Sequence, residues 1–232
     1  MPRGGTSTGV VRRLSDPNFL NRYFVGNGID IGGRVDPLVA YREMFPRMAE
    51  VRTWDLNDGD AQFMEGVEDE TYHFVYSSHC LEHLNDAQEG LRNWFRILKP
   101  GGHMVVVVPD EDLYEQGTFP STFNRDHKVT FTIWKNRSWS DTSISVLGLV
   151  QTLGDEADVV KIQLLDSTFR YQLPRMDQTL TPIAESAIEF VVRKRPNEEV
   201  EKGGRLPTQT AELSDEAYWV LTGIDRRKSK PE

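Results

Sequence analysis

An α/β fold, with a largely parallel sheet and helices on both faces, is what this sequence predicts, and three observations carry the prediction. A glycine turn, "GIDIGGRVDP" at 28–37, follows a short β-type run. "YHFVYSS" (Tyr72–Ser78), a helical stretch with Leu91, Trp94, Phe95 and Leu98 at i, i+3, i+4 and i+7, and "HMVVVVPD" succeed one another as strand, helix and strand. That spacing makes a βαβ unit, whose crossover is right-handed. "VVKIQLL" and "IEFVVRKR" then supply two more strands.

Taken in chain order, residues 1–14 are small, polar and basic, and are expected to be disordered. "SDPNFLNRYF" offers a helix start, with Ser15 as N-cap and Pro17 in the first turn. Gly26 and Gly28 stop it and lead into the strand "GIDI"; "PLVAYREMF" reads as a short helix and "VRTWDL" as a strand. Asn85 is a good N-cap for the clearest helix, with Gln88 as its capping-box partner, and "KPGG" ends that helix. "HMVVVVPD" is apolar along nearly its whole length, as in a strand covered on both faces. A further helix is expected over 141–153, with Val146, Leu149, Val150 and Leu153 on one face. The main domain therefore runs over 15–195, with an insertion at 116–140. The tail, 196–232, is linker-like and then offers a short helix carrying Tyr218 and Trp219, capped by Ser214 and stapled by Leu213. Those aromatics dock either on their own core or on a second copy in a homodimer.

A hydrophobic fraction of 38% over 232 residues suits one sizeable core. Lys and Arg number 27 against 36 Asp and Glu, a net charge of −9, which argues against nucleic acid and anionic membranes as partners. No apolar stretch approaches the roughly 20 residues that span a bilayer. The N-terminal stretch has basic residues with no hydrophobic segment behind them, so no secretory signal is expected. Cys80 is the lone cysteine, and a cytoplasmic location is the expectation.

The glycine turn raises the question of its ligand. Turns after the first strand of an open α/β sheet lie at the strands' carboxyl ends, where ligands bind. A dinucleotide needs G-x-G-x-x-G, but Gly32 and Gly33 are followed by Arg34, Val35 and Asp36. Asp30 would also repel a pyrophosphate. S-adenosyl-L-methionine has the opposite demands: its ammonium and sulfonium favour carboxylates, and its own carboxylate takes bare backbone N–H groups.

"GIDIGGRVDP", "GDAQFM", "YHFVYSSHCLEHL" and "LRNWFRILKPGGHMVVVVPD" resemble, in order and spacing, a class I S-adenosylmethionine-dependent methyltransferase, most like the small type 11 domain, over about residues 15–115. The resemblance implies a Rossmann-like sheet with an antiparallel last strand and S-adenosyl-L-methionine as cofactor, leaving as S-adenosyl-L-homocysteine. It implies that Asp30, Gly32 and Gly33 cradle the methionine end and that Asp60 and Ala61 meet adenine. Ser78 and His79 then stand beside the cofactor, and Asp55 is the best match for the ribose acid. The family has a whole helix and strand between the last two acids; here Asp55 and Asp60 lie close together, so the second βα unit is shortened, and either Asp55 or Asp36 holds the ribose. Arg34 stands near the place of a further glycine and either pairs the cofactor carboxylate or faces solvent.

For the chemistry, alignment contributes much of an in-line methyl transfer, and a hydroxyl acceptor benefits from a general base, most often histidine. His73 and His103 flank strands and read as structural. His83, in "LEHL", follows a strand's carboxyl end and is a catalytic candidate facing the site, with a local packing or capping role as the alternative. His127 lies in the insertion beside Asp126 among aromatics, a base with a polar neighbour; a surface loop is the plain alternative. His79, Cys80 and His83 do not make a metal motif, since the one cysteine has no spaced partner, and no metal is expected. Phe119, Phe123, Phe131 and Trp134 would shape an acceptor pocket or a satellite core, with Arg125, Lys128 or Lys135 for an anionic group. The insertion also loosely resembles methyltransferases of surface-polysaccharide and sugar pathways. The expected function is methylation of a small polar acceptor bearing a hydroxyl or amine, such as a sugar or nucleotide-linked sugar. The rival readings are a methyltransferase of a protein or other macromolecule, a non-catalytic cofactor-binding partner subunit, and a dinucleotide oxidoreductase.

Overall fold

Nearly continuous burial along the apolar runs builds the sheet of the computed structural model, which describes residues 5–206 together with Ser214, Glu216, Val220 and Thr222. Its strands are β1 (Gly26–Ile31), β2 (Met48–Trp54), β3 (Tyr72–Ser78), β4 (Leu98–Pro109), β5 (Thr130–Thr132), β6 (Ser143–Ser145), β7 (Ala157–Leu165) and β8 (Ala187–Lys194). Six of them form one sheet in the order β2-β1-β3-β4-β8-β7, while β5 and β6 pair separately in parallel. β2, β1, β3 and β4 run parallel; β8 is antiparallel to both β4 and β7, as expected for the last strand.

Successive side chains of a strand point to opposite faces. Phe74, Tyr76, Val105 and Val191 therefore pack on one side, against Phe19, Tyr23, Phe24, Leu38 and Phe45. Val75, Met104, Val106 and Val192 pack on the other, against Leu91, Trp94 and Phe95 of α2 (Ala87–Arg96) and Val146, Leu149 and Val150 of α3 (Val146–Gln151). Residues 55–71, between β2 and β3, contain neither helix nor strand, so the second βα unit is indeed shortened.

Several local expectations change. Residues 5–14, expected to be disordered, form α1 (Gly5–Leu14). Long-range ion pairs order it: Arg12 and Arg13 reach Glu189 on β8, at 2.7 and 3.1 Å. Ser15 does not cap the following turn; its hydroxyl donates to the Val11 carbonyl, and the Asp16 carboxylate accepts the Asn18 N–H at 2.9 Å. The N-cap of α2 is Asp86, not Asn85, because its carboxylate accepts both the Gln88 and Glu89 N–H groups at 2.9 Å. "KPGG" lies within β4, which takes up the extra residues as an irregularity between Tyr72 and Phe74 of β3. The helix expected over 141–153 begins only at Val146, because 143–145 pair with β5 and Ser145 caps α3. In the tail, α4 (Asn197–Glu201) is a short helix, and Glu216, Val220 and Thr222 are helical; Leu213, Tyr218 and Trp219 of the expected helix, and with them the homodimer contact, lie outside the described residues. Among the described residues, no helix is long and apolar enough to cross a membrane.

Candidate active site

The carboxyl ends of β1, β2 and β3 converge on the glycine turn. Gly32 needs to be glycine twice over: its φ is +84°, and a Cβ there would lie 2.8 Å from that of Cys80. A Cβ on Gly33 would sit 2.0 Å from an Asp30 carboxylate oxygen. The turn thus keeps its backbone bare, directly above an acid.

That acid is not open to the surface. Asp30 is 1% exposed; its Oδ2 accepts the Leu38 N–H at 2.7 Å, while its Oδ1 is buried with no hydrogen-bond partner. Burial drives its pKa up to about 7, against the Leu38 N–H and the Arg13 charge. Asp55 follows β2 at the edge of the turn, where its Oδ2 accepts the Arg34 N–H at 3.2 Å. Asp36, the other ribose candidate, is engaged: its carboxylate accepts the Ser7 N–H at 2.6 Å and the Tyr41 hydroxyl at 2.6 Å. Asp60 is exposed and Ala61 half-buried, on a loop fixed to α2. Trp94 Nε1 donates to the Ala61 carbonyl at 2.8 Å, and the side chain of buried Gln62 bridges to Asp86 and Glu89.

A cavity of about 360 Å³ begins at this turn. Gly32, Ser78 and His79 line one end; His83, Tyr114, Asn124 and His127 line the other, with Glu82 between. α1 forms part of the wall, since a Cβ on Gly5 would fall 2.5 Å from Ser78 Oγ. His79 holds a left-handed backbone, φ +55°, uncommon for a residue with a side chain and often found at functional sites.

Two elements bring the polar end together. After β4, a π-helical turn (Glu111–Glu115) is capped by Asp110, whose carboxylate accepts the Asp112 and Leu113 N–H groups. The insertion then folds back, and the Lys128 N–H donates to the Glu82 carbonyl at 2.9 Å. His127 is buried, with Nδ1 2.7 Å from Glu115 Oε1 and its ring against Tyr114. His83 Nδ1 lies 2.9 Å from Asp126 Oδ2. Asp126 therefore orients His83, and Glu115 is the neighbour of His127; the pairing of Asp126 with His127 expected from adjacency does not form. Glu82, 0% exposed, faces all three histidines. Burial works to raise its pKa, but contact with His79 and proximity to His83 and His127 hold it below the ordinary carboxylate range.

The aromatics and cations of the insertion divide differently from expectation. Phe131 is core, and Trp134 is 58% exposed. Lys135 pairs with Glu111 and Asp112, and Lys128 donates to Asn85, so neither is free for an acceptor anion. Glu82, Glu115 and Tyr114 went unnoticed in the sequence. "LEHL" marked the position of Glu82, but nothing local tied Glu115 to His127.

The residues fit an S-adenosyl cofactor in having glycines without side chains at the turn, an orphaned Asp30 oxygen beneath it and Asp55 at its edge, while the Gly32 N–H already donates to the Trp54 carbonyl at 2.8 Å. Residues 8–142, more than half the chain, match the model of a methyltransferase domain family. A search of curated proteins finds no match. Solved structures share the fold at low identity. An S-adenosylmethionine-dependent methyltransferase from Archaeoglobus fulgidus is 13% identical with a TM-score of 0.52, covering 83% of this chain and 96% of its own. Another from Listeria monocytogenes is 14% identical at 0.51, covering 81% and 99%. Phosphoethanolamine N-methyltransferase 2 of Haemonchus contortus, bound to S-adenosyl-L-methionine, is 12% identical at 0.50, covering 80% and 53%. With the glycine turn, its acids and this topology in place, the chain belongs to the methyltransferase domain family, as a class I S-adenosylmethionine-dependent enzyme.

Proposed function

We propose that the protein methylates a small polar acceptor, a hydroxyl or amine, held against the histidine end of the cavity. The observation that carries this reading is the continuity of that cavity from Gly32, Ser78 and His79 to His83 and His127. A donor at one end and an acceptor at the other meet in its middle, beside Glu82.

In this assignment Gly32, Gly33, Ser78 and His79 hold the methionine end of the cofactor. Asp30 supports the turn from below rather than through an exposed oxygen. Asp55 binds the ribose from the carboxyl end of β2, where its oxygens also accept the Arg34 and Leu56 N–H groups; Asp36 is tied to α1 and Tyr41 instead. Asp60 and Ala61 meet adenine from their α2-anchored loop. The cofactor supplies an electrophilic methyl group on sulfur. The chain's own part is to align it, to exclude water with α1 and the insertion, and to activate the acceptor through His127. Glu115 fixes that ring, and Asp126 fixes the ring of His83. Alignment of this kind contributes up to about 7–11 kcal/mol.

Calorimetry with S-adenosylhomocysteine tests the cofactor half. Asp55→Ala is expected to weaken binding about 10- to 100-fold, the worth of a charge-assisted hydrogen bond or two, with an unchanged thermal melt. Affinity equal to wild type would remove Asp55 from the site. His127→Ala is expected to slow S-adenosylhomocysteine formation about 10²- to 10⁴-fold over a panel of small hydroxyl and amine acceptors. Its affinity for S-adenosylhomocysteine should not change; wild-type rates would take His127 out of the chemistry.

A further inference from the structure

Glu82 is a carboxylate without a partner. It is 0% exposed, no hydrogen bond reaches either oxygen, and no lysine or arginine among the described residues pairs with it. Three imidazole nitrogens surround its Oε1 instead: His79 Nδ1 at 3.4 Å, His127 Nε2 at 3.8 Å and His83 Nε2 at 3.9 Å. These separations exceed the roughly 2.7–3.2 Å of an N–H···O hydrogen bond.

The other nitrogens of two of these rings are committed. His127 Nδ1 lies 2.7 Å from Glu115 Oε1, and His83 Nδ1 lies 2.9 Å from Asp126 Oδ2. A ring that donates from Nδ1 carries its lone pair on Nε2 when neutral. When both rings are neutral, two lone pairs then face a buried carboxylate oxygen, which is repulsive unless a proton or a metal cation stands between them. Glu115 behind His127, and the Asp126 carbonyl at 3.3 Å with its carboxylate beside it behind His83, are the kind of partners that orient metal-bound histidines and fix their tautomer.

We propose that Glu82, His83 and His127 form a binding site for a divalent transition-metal cation, open to the cavity on the acceptor side. Their ligand atoms lie within 4.8 Å of one another. Metal–ligand bonds of about 2.0–2.2 Å hold neighbouring ligands about 3–4 Å apart, so closure by up to about an ångström, within reach of side-chain rotation, completes the set. Two imidazoles and one carboxylate suit zinc, cobalt, manganese or iron rather than magnesium or calcium, and leave positions for water or an acceptor oxygen. His79 stands at the cofactor end of the same cluster.

This inference rests on the methyltransferase reading for its consequence, which is that the acceptor is a hydroxyl. A hydroxyl bound to the cation loses its proton to solvent at lower pH than a free one. Its oxygen forms the new bond to the methyl carbon as the carbon–sulfur bond breaks. That electron pair stays on sulfur, and the sulfonium becomes a neutral thioether. His127 then activates the acceptor as a ligand rather than by taking the proton itself.

The test uses the full chain, freed of metal with a chelator and titrated with Co²⁺, with and without S-adenosylhomocysteine. One equivalent is expected to bind, with visible d–d absorption of nitrogen and oxygen ligation and a higher melting temperature. Glu82→Gln and His83→Gln should each lose the spectrum and weaken binding at least tenfold, while circular dichroism stays that of the wild type. Absence of Co²⁺, Zn²⁺ and Mn²⁺ binding to the wild type would overturn the site, as would an unchanged spectrum in both variants. Should a variant misfold, the wild-type titration and the remaining variant decide. S-adenosylhomocysteine binding without metal binding would refute this site alone; metal binding without S-adenosylhomocysteine would refute the cofactor reading instead.

Discussion

Glu189 and Glu82 are both fully buried glutamates at the sheet, yet they live in opposite surroundings. Glu189, on β8, receives Arg12 at 2.7 Å, Arg13 at 3.1 Å and Lys161 at 3.1 Å. Burial alone would raise its pKa, but Arg13 and Arg12 override it and bring it down to about 2. Glu82 meets only imidazoles, at distances too long for hydrogen bonds. One cluster is complete within the chain and ties α1 to the sheet. The other is complete only when something joins it. A buried charge that its own chain satisfies is structure; one left unsatisfied beside a cavity points to a ligand.

The largest expected effect breaks the satisfied cluster. Glu189→Ala leaves Arg13 buried without its carboxylate, and should cost about 3–5 kcal/mol in urea denaturation. A loss below about 1 kcal/mol would mean that α1 is held by apolar packing instead. The unsatisfied cluster should respond with the opposite sign. In metal-free protein at pH 8, above the ordinary range of imidazole titration, Glu82→Gln should stabilise by about 1–3 kcal/mol. A destabilised variant would show that the carboxylate is already well paired.

A third test sharpens the contrast through pH. The folded-state pKa of Glu189 is depressed from 4.5 to about 2, so its stabilisation is present above about 4.5 and lost as pH falls toward 2. Asp30 runs the other way: its pKa is raised from 3.8 to about 7, so its contribution is full below about 4 and lost as pH rises through 7. Asp30→Asn should flatten the stability profile between pH 4 and 7 and leave the acid limb intact. An unchanged slope over that window would show that Asp30 is solvated.

The legible parts of the chain are those whose cause is local or periodic. β3 and β4 are recognisable because nearly every residue is apolar, and α2 because its apolar residues recur once per turn. The glycine turn is legible because bare backbone beside an acid is a chemical statement in four residues. Its details were less so: the sequence places Asp30 against the cofactor, whereas the fold puts it under Gly33, out of reach of solvent. α1 was illegible for a physical reason. "GTSTGVVRRL" is a poor helix alone, and the charges that order it sit 176 and 177 residues away.

The sequence by itself determined the class of fold and the chemistry of a cofactor at the carboxyl ends of the strands, because both follow from short-range pattern; the shortened second βα unit was legible only through the family resemblance. Only the tertiary structure decided which acid orients which histidine. His127 lies beside Asp126 in the chain, yet its ring points to Glu115, and Asp126 turns to His83. Neighbours on an irregular segment share no fixed direction. The π-helical turn after β4 and the strand pairing of the insertion choose the partners, and with them the place where a cation fits.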